Sequence, residues 1–192
     1  MRKTSLLSAS AILSLAVAAP AASADEHGGK TRPPITEAMI NEAQNRWCAG
    51  LVEIGKVHRA GGDTRAAANK VLDASYAFEN GNVLFKPTLA HGETTFRLDR
   101  EGALAYFVGG DPKYPGDKGF ALTPWVGCRW QNAGTIVEGD LGISMGNVWV
   151  KNEKGEETMV DKTFVFKRGD DGVLRLIVHK SALPYAPPPA GR

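Results

Sequence analysis

The fold class predicted for this chain depends on one stretch near its end, Gly172-Val173-Leu174-Arg175-Leu176-Ile177-Val178-His179-Lys180-Ser181-Ala182-Leu183-Pro184-Tyr185. It is rich in branched aliphatic residues, begins at a turn and ends at Pro184, so it predicts a mostly buried strand. Side chains alternate between the two faces of a strand. An unbroken strand would therefore place on one face Val173, Arg175, Ile177, His179, Ser181 and Leu183.

His179 and Ser181 would then lie side by side at the end of this strand, and they form the best candidate site in the chain. Two interpretations are open. The pair is either part of a functional site or a hydrogen-bonded histidine and serine at the margin of a sheet.

The chain before this strand predicts three further strands joined by short turns. Their ranges are 125–137, 141–151 and 158–168, and the turns contain Gly139, Gly155 and Gly172. Short turns between successive strands predict an antiparallel meander. A shorter strand over 83–88 is predicted to lie at an edge or to end there, because Pro87 lacks an N–H group.

Three helices precede the meander. Apolar residues at helical spacing and the capping residues Thr36, Asp63 and Asp99 predict helices over about 36–58, 63–80 and 99–108. Helices followed by an antiparallel sheet indicate an α+β fold, with the helices on one face of a curved, cone-shaped sheet. The loop over 111–119, rich in proline and glycine, is a candidate for the mouth of a pocket.

The ends of the chain lie outside this predicted domain. Residues 1–24 have a basic start, an apolar run and a cleavage site after Ala24, which together predict a secretory signal peptide and a periplasmic or secreted protein. A disordered segment over 25–34, one domain over 35–185 and a proline-rich tail over 186–192 follow. Without Arg2 and Lys3 the basic and acidic residues balance, so no nucleic-acid or membrane partner is expected after signal cleavage.

The two cysteines, Cys48 and Cys128, fall in a predicted helix and a predicted strand. In an oxidising compartment they could form a disulfide, and two buried free thiols are the alternative.

No cofactor motif is present in the sequence. The four histidines lack the spacing of paired metal ligands, and neither a phosphate-binding glycine loop nor Gly-x-Ser-x-Gly occurs, so no metal and no cofactor are expected. The polar residues that could build a pocket for a small oxygen-rich ligand are Thr88, Tyr106, His179 and Ser181.

Four blocks of the sequence resemble the iota-class carbonic anhydrases, above all small secreted bacterial members. They are Val83-Leu84-Phe85-Lys86-Pro87-Thr88, the helix ending Ala103-Leu104-Ala105-Tyr106-Phe107-Val108-Gly109-Gly110, the loop Asp117-Lys118-Gly119-Phe120-Ala121-Leu122 with Pro124-Trp125, and 179–185. The resemblance extends from about Ile35 to Tyr185.

The resemblance implies a fold similar to nuclear transport factor 2 and to the association domain of calcium/calmodulin-dependent kinase, usually a homodimer formed through the sheet. It implies reversible hydration of carbon dioxide to bicarbonate without a metal. The substrate or another small oxyanion would be held by the hydroxyls of Thr88, Tyr106 and Ser181. His179 nearby would orient a hydroxyl or carry a proton.

The sequence departs from the family at one motif. Where the family has His-His-Ser-Ser, this chain has His179-Lys180-Ser181-Ala182, so the second histidine and the second serine are replaced. A non-catalytic module for small-ligand binding or dimerisation is therefore an alternative function. A less favoured one is phosphoribosyl-AMP cyclohydrolase, a label often attached to such relatives, whose metal-activated water would need clustered ligands.

Overall fold

The computed structural model describes residues 32–187, which lie almost wholly in one compact unit, Pro33–Arg192. The predicted signal peptide, most of the predicted disordered segment and the end of the tail lie outside the described residues. No helix among residues 32–187 is both long and apolar enough to span a bilayer.

Three α-helices form at the predicted positions: α1 (Glu37–Arg59), α2 (Thr64–Ser75) and α3 (Arg100–Val108). Each begins after a predicted cap whose side chain accepts a hydrogen bond from a backbone N–H group three residues on: Thr36 from Met39 at 3.3 Å, Asp63 from Ala66 at 2.9 Å and Asp99 from Gly102 at 2.7 Å. Helix α2 is shorter than predicted, because the chain turns extended at Tyr76 and forms a separate 3-10 turn at Phe78–Asn80.

The sheet has five strands: β1 (Leu84–Lys86), β2 (Trp125–Glu138), β3 (Leu141–Asn152), β4 (Glu157–Arg168) and β5 (Leu174–Ala182). Their order is β1-β5-β4-β3-β2, and the four long strands form the predicted antiparallel meander. Strand β1 is an edge strand, in keeping with Pro87, and it pairs parallel with β5. The α+β fold is confirmed.

A β-bulge in β5 overturns the predicted faces of that strand. Val165 of β4 pairs with Val178 and the next residue, Phe166, pairs with Leu176, so Ile177 is an extra residue. An extra residue reverses the alternation on either side of it. Arg175 and Ile177 therefore do not share a face with His179; Leu174, Leu176, His179 and Ser181 together form the buried face.

The core lies between the inner face of the sheet and the helices. Its sheet residues include Val148, Val150, Val160, Phe164, Phe166, Leu174 and Leu176, and its α1 residues include Ile40, Trp47, Leu51 and Ile54. These α1 residues recur at the helical spacing that predicted the helix, and all four are buried. The core faces of β4 and β5 continue into the polar residues Lys162, His179 and Ser181, which are also buried.

Helix α1 is also tied covalently to the sheet. Cys48 of α1 and Cys128 of β2 are bonded in a disulfide, with their Cα atoms 5.3 Å apart. Such a bridge across 80 residues restricts the unfolded chain more than the folded one.

Candidate active site

A cavity of about 880 Å³ lies between the loop after β1, helix α3 and the loop before β2. Thr88 and Tyr106 line it, together with apolar side chains that include Phe120 and Val160. Residues 115–119 of the predicted mouth loop also line the cavity. Hydroxyl groups in a mainly apolar wall are typical of sites that orient a small ligand.

Three hydroxyl side chains meet beside this cavity, and we call Thr88, Tyr106 and Ser181 the hydroxyl cluster. Thr88 Oγ1 lies 2.8 Å from Ser181 Oγ, and either can be the donor. The Tyr106 hydroxyl accepts a hydrogen bond from the backbone N–H of Leu89, the residue after Thr88, at 3.4 Å. The structure thus brings together three of the four predicted site residues, with buried Ser181 behind Thr88.

The parallel pairing of β1 with β5 places two of these residues side by side. Phe85 and Lys86 pair with His179 and Lys180, so the chain leaving β1 runs beside the end of β5. The Lys86 ammonium donates to the backbone carbonyls of both Thr88 and Ser181, each at 3.3 Å. One side chain therefore joins the two backbone segments that carry the neighbouring hydroxyls.

Tyr106 reaches the cluster from the buried side of α3. Its ring stacks on Phe120 at 5.5 Å and packs edge-on against Phe85 at 5.8 Å. Burial raises the pKa of the Tyr106 phenol above its usual value. The phenol therefore stays neutral at physiological pH and keeps the O–H group that can donate to a ligand oxygen.

His179, the fourth predicted residue, lies in the aromatic core beside the cluster. Its ring is 4.6 Å from both Phe85 and Phe164, and only 3% of the residue is exposed. Its Nδ1 lies 2.8 Å from the Tyr76 hydroxyl, which accepts a bond from the Trp47 indole N–H at 2.9 Å. His179 is not among the residues that line the cavity.

Burial, aided by the positive charge of Lys162, lowers the pKa of His179 to about 3. The imidazole is therefore neutral throughout the physiological range. Of the two roles considered for His179, carrying a proton does not fit this environment, whereas orienting a neighbour does. Its bond to Tyr76 fixes β5 against α1 and α2, two residues before Ser181.

Two buried charged groups, Arg97 and Lys162, were not predicted from the sequence. Arg97 is 2% exposed, lines the cavity and donates through Nη2 to both carboxylate oxygens of Asp117, each at 2.9 Å. This pair holds the predicted mouth loop against the cavity wall. Arg97 lies in a short segment without clear alternation, so no sequence pattern indicated its burial.

The second is Lys162 on the core face of β4. Its ammonium donates to the side-chain oxygens of Gln44, Asn132 at 2.7 Å and Ser144 at 2.8 Å. Burial lowers the pKa of Lys162 to about 7. We call these four residues the lysine cluster. Among residues 32–187, no three His, Cys, Asp or Glu side chains are grouped so that they could hold a metal ion.

Known proteins with similar sequences are metal-independent carbonic anhydrases. The family model for metal-independent carbonic anhydrases matches residues 38–183. A metal-independent carbonic anhydrase from Nostoc sp. (strain PCC 7120) is 46% identical over 153 residues, which are 79% of this chain and 75% of that protein.

A solved structure of this class is also similar to the chain. The crystal structure of a cyanobacterial iota-carbonic anhydrase complexed with bicarbonate matches with a TM-score of 0.79 and 46% identity, over 80% of this chain and 95% of that one. A nuclear transport factor 2-like protein from Salmonella enterica serovar Typhimurium matches with a TM-score of 0.47 and 10% identity, over 78% of this chain and 91% of that one. The family model and the 46% identical relative show that this chain belongs to the iota class of metal-independent carbonic anhydrases.

Proposed function

We propose that this chain hydrates carbon dioxide reversibly to bicarbonate at the hydroxyl cluster. The observation that carries this assignment is the meeting of three hydroxyls beside the 880 Å³ cavity: Thr88 is hydrogen-bonded to Ser181, and the Tyr106 hydroxyl bonds the backbone N–H of Leu89, the residue after Thr88. The related cyanobacterial enzyme was crystallised with bicarbonate, a small oxyanion that such hydroxyls would recognise.

The geometry accounts for how the cluster would act. As water adds to the carbon of carbon dioxide, negative charge grows on the two oxygens of the substrate. The hydroxyls of Thr88 and Tyr106, which line the cavity, can rotate to donate hydrogen bonds to these oxygens, and Ser181 supports Thr88 from behind. The apolar wall strengthens such bonds by excluding water. Tyr106 has the best-defined position of the donors, because its ring packs between aromatic neighbours. Burial raises its pKa, so the hydroxyl stays protonated.

The test is stopped-flow hydration of carbon dioxide by the chelator-treated mature chain. We expect hydration to survive chelation and to fall about 100-fold or more in Tyr106→Phe, the usual cost of removing one such donor. The fall in Ser181→Ala should be smaller, because Ser181 acts through Thr88. Ser75→Ala is a matched control, because the Ser75 hydroxyl is buried on α2 without a hydrogen-bond partner. Full rates in Ser181→Ala and Tyr106→Phe would place the chemistry elsewhere. Bicarbonate binding without turnover would favour the non-catalytic module.

Export to the periplasm, with cleavage after Ala24, is part of the same proposal. The pattern of residues 1–24 supports it, and so does the disulfide between Cys48 and Cys128, because disulfides persist in oxidising compartments. Mass spectrometry of the chain recovered from a periplasmic fraction would give a mature protein beginning at Asp25. An uncleaved chain retained in the cytoplasm would contradict export.

A homodimer formed through the sheet is also proposed. The outer face carries exposed apolar side chains that alternate with the buried ones, notably Ile136, Met145 and Met159. Apolar surface of this kind on a sheet is suited to burial against a second copy. We expect sedimentation to give a dimer, and Met145→Glu to give a monomer. A monomeric unmodified chain at micromolar concentration would exclude this interface.

A further inference from the structure

Hydration of carbon dioxide releases one proton for each bicarbonate formed, and that proton must leave the cavity before the next cycle. His179 does not suit this task, because it is buried and its pKa is lowered to about 3. The cavity, at about 880 Å³, has room for many water molecules of roughly 30 Å³ each, so protons can cross it through water. A group at its wall that gains and loses protons near neutral pH would complete the cycle.

His91 has the position for this task. It follows the hydroxyl-cluster residue Thr88 by three residues, lines the same cavity and is exposed to solvent. Its Nδ1 lies 3.0 Å from the backbone carbonyl oxygen of Leu89. Because a carbonyl can only accept, Nδ1 carries the proton of the neutral ring, and Nε2 keeps a lone pair.

Leu89 links this histidine to the hydroxyl cluster. Its N–H donates to the Tyr106 hydroxyl at 3.4 Å, and its carbonyl accepts from His91. The imidazole is thereby held on the same turn of backbone that contacts the cluster. The exposed ring can therefore reach both the cavity water and the buffer.

The other charged side chains of the cavity wall suit the task less well, and burial keeps the Tyr106 phenol neutral. They are Glu93, Arg97, Asp117 and Lys118. Arg97 and Asp117 are engaged with each other in a buried ion pair at 2.9 Å. Carboxylates and ammonium groups ordinarily keep their charge across neutral pH, whereas imidazole ordinarily changes charge between pH 5 and 8.

We propose that His91 is the proton-transfer residue of this carbonic anhydrase, an inference that rests on the proposed function. In the forward direction the oxygen of a water molecule bonds to the carbon of carbon dioxide, and one proton of that water passes through cavity water to Nε2 of His91. Bicarbonate leaves, and the imidazolium gives its proton to the buffer. No electrons change hands, and one carbon dioxide and one water yield one bicarbonate and one buffered proton.

The experiment compares His91→Gln with His58→Gln in steady-state hydration at low buffer concentration. His58 is a matched control, because it is exposed at the end of α1 and its ring contacts Thr64, which does not line the cavity. We expect His91→Gln to lower kcat by about tenfold or more and to leave kcat/KM unchanged, since proton export follows the hydration step. Added imidazole should restore kcat in His91→Gln.

Each outcome of this experiment supports or overturns the role of His91. Equal kcat in the two variants at low buffer, or no recovery with imidazole, overturns the role of His91 while the proposed function stands. A parallel fall of kcat and kcat/KM also overturns it, because His91 would then shape the hydration step itself. If the unmodified chain does not hydrate carbon dioxide, the proposed function fails first and this inference with it.

Discussion

Lys162 and Ser181 are direct partners across strands β4 and β5, yet the polar clusters around them are built on opposite principles. The ammonium of Lys162 has three N–H groups and three oxygen acceptors, from α1, β2 and β3. The lysine cluster is therefore complete and closed. The hydroxyl cluster around Ser181 consists of rotatable O–H groups with unused hydrogen-bonding capacity, and it borders a large cavity.

This difference distinguishes buried polar groups that stabilise the fold from buried polar groups that can bind a substrate. A buried group whose partners match its donors one for one stabilises a single arrangement and has nothing left for a ligand. A group with spare donors beside a cavity can exchange a neighbour for a substrate. Asn132 reaches Lys162 from the position opposite Gly146, next to the bulge of β2. A Cβ at Gly146 would lie 2.1 Å from the carbonyl oxygen of Gln131, so the close approach of the strands there requires glycine.

The largest effect is expected from breaking the lysine cluster. Lys162→Met leaves the oxygens of Gln44, Asn132 and Ser144 without their shared donor, and we expect the free energy of unfolding to fall by about 1–3 kcal/mol. Urea denaturation measures it. The exposed Lys167 on the same strand provides the control, since Lys167→Met should change stability by less than about 0.5 kcal/mol.

The rate of carbon dioxide hydration by the folded Lys162→Met chain tests whether the lysine cluster takes part in the chemistry. Because the lysine cluster has no place in the proposed chemistry, kcat/KM should stay within about twofold of the unmodified value. A stable Lys162→Met chain with a collapsed hydration rate would reverse the roles assigned to the two clusters.

An intermediate effect is expected from His179, which lies between the clusters. Its pKa is about 3 in the folded chain, against 6.5 for an ordinary histidine, so the unfolded chain binds more protons between these values. The free energy of unfolding therefore falls as pH falls through this window, by up to about 1.4 kcal/mol per pH unit. Stability that His179 contributes is fully present above pH 6.5.

Denaturation between pH 6.5 and 5 tests this dependence, because most carboxylates stay ionised there. In His179→Asn the side-chain amide can still accept a hydrogen bond from Tyr76 but does not titrate. We expect this variant to lose most of the slope that the unmodified chain shows. Equal slopes would mean that His179 titrates normally in the folded chain, and would restore it as a candidate proton carrier.

The sequence predicted the parts of this molecule that depend on local patterns. Caps at Thr36, Asp63 and Asp99 located the helices, and alternation with glycine turns located the meander. The bulge at Ile177 was missed because alternation assumes one residue for each partner, and only the register with β4 reveals the extra one. The prediction that placed Arg175 beside His179 was wrong for this reason.

The candidate site was predicted in part. The resemblance indicated Thr88, Tyr106 and Ser181 together, and in the structure Thr88 is bonded to Ser181 while Tyr106 bonds the backbone beside Thr88. The contact between Trp47, Tyr76 and His179 joins segments that are far apart in sequence. The burial of Lys162 depends on acceptors from α1, β2 and β3. Such contacts arise from tertiary packing, which periodicity does not encode.

The smallest effect is expected at Lys180, where this chain departs from the family motif. Lys180 is on the outer face of β5, half-exposed and paired with Asp161 at 2.8 Å, whereas Ser181 faces the core. Replacing it with the family's histidine, Lys180→His, should change the free energy of unfolding by less than about 0.5 kcal/mol and the hydration rate by less than about twofold. Lys180→Ala controls for loss of the ion pair.

One route could connect Lys180 to the site. Burial, together with the charge of Lys180, lowers the pKa of Lys86, whose ammonium donates to the carbonyls of both Thr88 and Ser181. A severalfold change of rate in Lys180→His, measured beside Lys180→Ala, would therefore extend the functional site through Lys86 to the outer face. Unchanged rates in both variants would confine the chemistry to the inner face, because the family's second histidine could then be lost without consequence for the hydroxyl cluster.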